Sequence, residues 1–120
     1  MPERNPPPLT PAGYQVLLAI ADGHTHGYPM MRFVEELTGG AAQLGPGTLY
    51  RTIARLAADG LVEEAAGADQ DAPHDARRRT YRLTPLGRTA AERETELMAA
   101  MVDRAASAGL LGRDRRQSSA

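Results

Sequence analysis

The chain has 120 residues, no cysteine and a formal net charge of −1. That length fits one small domain, and the missing thiols exclude disulfides, cysteine nucleophiles and cysteine-based zinc sites. A near-neutral charge argues against a general nucleic-acid coat, which carries a basic surplus, so any affinity for nucleic acid must come from where the charges sit.

Residues 1–8, Met-Pro-Glu-Arg-Asn-Pro-Pro-Pro, read as a disordered or extended arm. Thr10-Pro11 opens the first helix, threonine as N-cap and proline in the first turn. Tyr14, Leu17, Leu18 and Ala21 follow at helical spacing, and Asp22-Gly23 stops it. After a connector at 24–27, a second helix is expected over 29–37, with Met30, Phe33, Val34 and Leu37 as its buried side. The third helix spans about 46–59 and closes at Gly60. Its Leu49, Ile53 and Leu56 face a core, which puts Thr48, Arg51, Arg55 and Ala58 on the opposite side.

A short strand at 61–65 leads into an Asp-, Gly- and Ala-rich loop at 66–76. The return strand at 78–83 alternates Tyr81 and Leu83 with Thr80, Arg82 and Thr84. Thr84-Pro85 then repeats the helix-start signal for a last helix over 85–108, whose apolar side is Leu97, Met98, Met101, Val102 and Ala105. That stripe has no obvious partner within so small a core, so it is expected to meet its own copy in a dimer. A polar tail follows at 112–120.

All 14 basic residues are arginine, and they are clustered. No acid interrupts the stretch from Thr48 to Leu56 or the one from Arg77 to Arg88. Small and basic side chains on the outer face of the third helix, with Arg77, Arg78, Arg79 and Arg82 on the hairpin, are the pattern of a winged-helix DNA reader. The expected fold is mainly α with a small β-hairpin. A winged helix-turn-helix fills 9–84 and a C-terminal dimerisation helix fills 85–111. The DNA-contacting candidates are Thr48, Tyr50, Arg51, Arg55, Arg77, Arg78, Arg79 and Arg82. Arginine suits guanine edges or phosphates. Thr48 suits either a phosphate or a helix cap, and Tyr50 either core packing or a phosphate through its hydroxyl. Arg79 shares a strand face with Tyr81 and must snorkel if that face is inward.

Gly47-Thr48-Leu49-Tyr50-Arg51, Leu56, Gly60-Leu61-Val62 and the run from Arg77 to Arg88, preceded by His26-Gly27-Tyr28, resemble the PadR family of bacterial transcription regulators. The likeness covers about 9–108, with a one-helix C-terminal region like that of the family's shorter subtype. The resemblance implies a homodimeric repressor on a partly palindromic double-stranded DNA operator. It also implies release by a small planar or hydrophobic effector, as in many members. Asp69, Asp71 and Asp75 in the wing depart from what a phosphate backbone favours and put minor-groove reading by the wing tip in doubt.

Other readings are weaker. His24, His26 and His74 make a poor ligand set, so no metal or other cofactor is expected. Met30, Met31, Phe33, Met98 and Met101 suit an adaptable effector pocket or simply core and dimer seam. No nucleophile with a neighbouring base and no phosphate loop points to an enzyme. With no apolar run of membrane-spanning length and no leader pattern, a cytoplasmic protein is expected. The alternative function is a winged-helix protein–protein module without DNA binding, which the near-zero net charge and the acidic loop favour.

Overall fold

Helix α1 (Pro11–Ala21) begins where Thr10 caps it, its Oγ1 accepting from the Gly13 amide at 3.0 Å. Val16, Leu17, Ala19 and Ile20 are buried along it, while Tyr14 and Leu18 are half-buried and Ala21 is exposed. The buried face is thus broader than, and rotated from, the stripe read in the sequence. The cause is that α1 is the central helix, touching α2 (Gly27–Leu37), α3 (Pro46–Ala58), β2 (Tyr81–Leu83) and α4 (Pro85–Ser107). A helix surrounded on several sides buries more than one stripe. The computed structural model describes residues 8–65 and 79–112. Most of the arm, the wing loop with Arg77 and Arg78, and most of the tail lie outside the described residues.

Helix α2 starts at Gly27, two residues earlier than expected, and buries Met30 and Val34. Leu37 is 61% exposed, a correction to its expected place in the core: it is the last residue of the helix, where the chain turns away. Thr38 ties the connector that follows, donating to the Val34 carbonyl and accepting from the Ala42 amide, both at 2.9 Å. Helix α3 sends Leu49, Ile53 and Leu56 into the core, as its spacing requires. Gly60 follows it at φ +78°, a left-handed turn that glycine adopts without a side-chain clash.

Strands β1 (Val62–Glu64) and β2 pair antiparallel, with Val62 opposite Leu83, Glu63 opposite Arg82 and Glu64 opposite Tyr81. Strand β1 is one residue shorter at each end than its sequence signals, while β2 starts later, at Tyr81, and keeps the expected end at Leu83. The Tyr81 amide donates to the Thr25 carbonyl at 3.1 Å, which anchors the ribbon to the α1–α2 connector. Leu17, Met30, Leu49 and Leu61 are fully buried; such side chains each contribute roughly 1.5–3 kcal/mol. The three helices and two-stranded wing form a winged helix, and α4 extends from it.

Candidate nucleic-acid interface

The outward face of α3 is built by the same periodicity that buries Leu49, Ile53 and Leu56. Thr48, Arg51, Ala54 and Arg55 are all exposed on it. Arg51 Nη2 donates to Thr48 Oγ1 at 3.4 Å, so the threonine steers the arginine rather than capping the helix. The N-cap is Gly45, without a side-chain hydrogen bond. Arg55 is 81% exposed, and its Nε lies 3.5 Å from Asp59 Oδ2 one turn on. Such an exposed pair is worth about 0–1 kcal/mol and is readily exchanged for a phosphate. Pro8, Leu9 and Thr10 border the same hollow as Arg51, Thr52 and Arg55, so the chain enters α1 beside this arginine face.

Of the two places open to Tyr50, the structure shows core packing and not a hydroxyl held out toward a phosphate. Its hydroxyl is buried without a hydrogen-bond partner among the described residues. It lies against Gly27, at the start of α2, where a Cβ would collide with the Tyr50 Oη. The ring is a spacer between α2 and α3, and its hydroxyl does not reach the outer surface.

The ribbon differs from expectation. Arg82 Nε is 2.8 Å from Glu63 Oε2, and Arg79 Nε is 3.5 Å from Glu64 Oε1. The two arginines of the ribbon that are described are therefore charge-neutralised by acids of β1. The pairs are half-exposed, so this is a screened surface lattice and not a sealed one. Arg79 does share the side of Tyr81: their hydrogen bond and charge interaction oppose the dominant effect of burial, which raises the Tyr81 pKa above the ordinary tyrosine value. Arg77 and Arg78 lie outside the described residues.

On α4, Leu97 is 59%, Met101 62% and Val102 48% exposed, with Met98 and Ala105 half-buried. The first half of the helix is docked instead: Gly87 and Ala90 are buried, and Tyr14 Oη and Thr95 Oγ1 share a hydrogen bond of 2.7 Å. Between α1 and α4 lies a hollow of about 300 Å³ lined by Tyr14, Leu18, Leu83 and Ala91, with Arg88 and Glu92 at its edge. The methionines do not gather into one pocket. Met30 is core, Met31 borders a separate hollow with Tyr28 and Gln43, and Met98 and Met101 are on α4.

Among the described residues no charged side chain is buried and no metal-binding cluster is formed. His24 instead lies 3.3 Å from Asp22 and against the Phe33 ring, at 4.7 Å between centroids. No described helix is long and apolar enough to cross a membrane.

The chain is 40% identical over 89 residues to an uncharacterized 37.1 kDa protein in transposon TN4556 of Streptomyces fradiae. It is 42% identical over 76 residues to the transcriptional regulator Rv3488 of Mycobacterium tuberculosis. These matches take in 74% and 62% of the chain but only 23% and 64% of the relatives, so the chain spans less than two thirds of either. Among solved structures, it is similar to the PcaV transcriptional regulator of Streptomyces coelicolor in complex with its natural ligand. That match has a TM-score of 0.61 at 25% identity and covers 92% of this chain and 68% of PcaV. A PadR-like transcription factor from Bacteroides fragilis matches in fold, with a TM-score of 0.59 at 20% identity over 79% of this chain and 85% of its own. Residues 16–93, more than half of the sequence, match the transcriptional regulator PadR-like family. The chain belongs to that family, one of transcriptional regulators and not of enzymes.

Proposed function

We propose that this protein is a DNA-binding repressor acting as a homodimer on a palindromic operator. The observation that carries the reading is the exposed row of Thr48, Arg51 and Arg55 on a helix whose other face is locked into the core. A helix of this width fits the major groove, and arginine there meets guanine edges or phosphates. Arg79 and Arg82 supply backbone contacts from the wing by exchanging Glu64 and Glu63 for phosphate, and Arg77 and Arg78 add to their charge.

The exposed stripe of Leu97, Met101 and Val102 supports the dimer, and twofold symmetry in the protein calls for twofold symmetry in the site. A dimer seated on a promoter occludes it, which favours repression. The hollow between α1 and α4 suits a small hydrophobic effector, because a ligand there bears on the docked half of α4. The neutralised ribbon favours one other reading, a protein-binding module with no DNA role.

Selection of bound duplexes from a random pool separates the two. The repressor reading expects an enriched inverted repeat whose half-sites lie about one helical turn apart. A pool with no enriched sequence contradicts it.

A further inference from the structure

We propose that Thr84 and Gly87 form the joint that fixes the angle between each DNA-reading head and the dimer helix, and so selects the half-site spacing the protein accepts. The inference rests on the dimeric reading above and adds to it the residues that set operator geometry.

Three hydrogen bonds converge at this point. Thr84 Oγ1 donates to the Gly60 carbonyl at 2.5 Å and accepts from the Gly87 amide at 3.0 Å. The Thr84 amide donates to the Leu61 carbonyl at 3.1 Å. Gly60 is the turn that ends α3, and Thr84 is the N-cap of α4. One side chain therefore joins the exit of the reading helix to the start of the dimer helix, with no intervening loop.

Gly87 closes the joint. A Cβ there would lie 2.8 Å from the Leu61 carbonyl carbon and 3.2 Å from its Cα, and would overlap the carbonyl oxygen. The obstacle is backbone, so no rotamer change relieves it and the helix itself has to move. One turn on, Ala90 is 3% exposed, and Thr95 meets Tyr14. The docked half of α4 thus ends just before the exposed stripe begins at Leu97.

Leverage makes this joint matter for DNA. Met101 lies roughly 20 Å along the helix from Gly87 at about 1.5 Å per residue. A tilt of about 10° at Gly87 therefore displaces the seam by about 3.5 Å, close to the ~3.4 Å rise of one base pair. Each added base pair also turns the next half-site by about 35° around the duplex, so a head held at a fixed angle accepts a narrow range of spacings.

The test uses the full chain and inverted repeats of the selected half-site, with the spacer lengthened or shortened by one or two base pairs. Affinities are measured for wild type, Thr84→Ser, Thr84→Val and Gly87→Ala, with light scattering and circular dichroism on each protein. Wild type should favour one spacer about tenfold over its neighbours, a discrimination of about 1.4 kcal/mol. Thr84→Ser, which keeps the hydroxyl, should preserve that preference. Thr84→Val should flatten it to less than about threefold, and Gly87→Ala should move the optimum by at least one base pair, while affinity for a single half-site stays unchanged. If Gly87→Ala does not fold, Thr84→Val decides. Folded, dimeric variants that keep the wild-type optimum and discrimination would overturn the joint, as would a wild-type dimer that binds every spacer equally. A wild-type protein that is monomeric or binds no duplex would instead bring down the regulator reading and this inference with it.

Discussion

The Tyr50 side chain belongs to the helix assigned to DNA, yet its hydroxyl points the other way, into the seam with α2. A buried hydroxyl without a partner costs about 1–3 kcal/mol relative to one that is bonded or absent. Tyr50→Phe should therefore raise stability by about 1 kcal/mol and leave operator affinity unchanged, read by thermal unfolding and by DNA titration. A loss of affinity would return the hydroxyl to the phosphate. Gly27→Ala should destabilise the wild-type protein more than the Tyr50→Phe variant, because the nearest obstructing atom, the Tyr50 Oη, is then gone and only the ring carbon at 3.1 Å remains tight. Tyr81 offers a pH test. Burial, opposed by Arg79, raises its pKa above the usual tyrosine value. An unfolded chain ionises this tyrosine near pH 10, before the folded one does. The stability it contributes is therefore complete below about pH 10 and is lost as pH rises through the folded value. Alkaline unfolding curves should fall less steeply for Tyr81→Phe than for wild type.

Among the secondary elements, the helices were the most legible in the sequence. Thr10-Pro11 and Thr84-Pro85 mark two starts that the structure keeps to the residue, because capping and proline act locally. The 49, 53, 56 spacing likewise places the core face of α3 correctly, since that helix packs on one side. Spacing failed for α1, where several neighbours bury more than one stripe. The hairpin itself was legible, but its cross-strand ion pairs were not, because strand register is not a local property. Glu63 and Arg82 are 19 positions apart and meet only through the antiparallel pairing. Acids that looked remote from the arginine cluster therefore lie across from it. Glu63→Gln with Glu64→Gln should tighten operator binding up to roughly fivefold per pair, given about 0.2–1 kcal/mol for an exposed ion pair. Weaker binding of the double variant would mean that these acids orient the arginines for DNA. The roles of Thr84 and Gly87 were legible only as a helix start; their contact with Gly60 and Leu61 appears once the ribbon brings the chain back.

At the scale of the whole molecule, the proposed dimer joins two reading heads through one helix each. Leu97→Glu with Met101→Glu should give a folded monomer by light scattering and circular dichroism. Affinity for the inverted repeat should drop by about 100-fold or more as the avidity of two linked heads is lost, while binding to one half-site persists. A dimer that survives both charges would place the seam elsewhere. The assignment of α3 to the duplex is tested most directly by the salt dependence of operator affinity for wild type and for Arg51→Ala with Arg55→Ala. Each phosphate neutralised by an arginine contributes about 0.9 to the slope of log affinity against log salt, and a bidentate base contact contributes about 1–3 kcal/mol. We expect the double variant to bind at least tenfold more weakly, with a shallower slope wherever either arginine meets a phosphate. Unchanged affinity and an unchanged slope in a folded, dimeric variant would contradict the account.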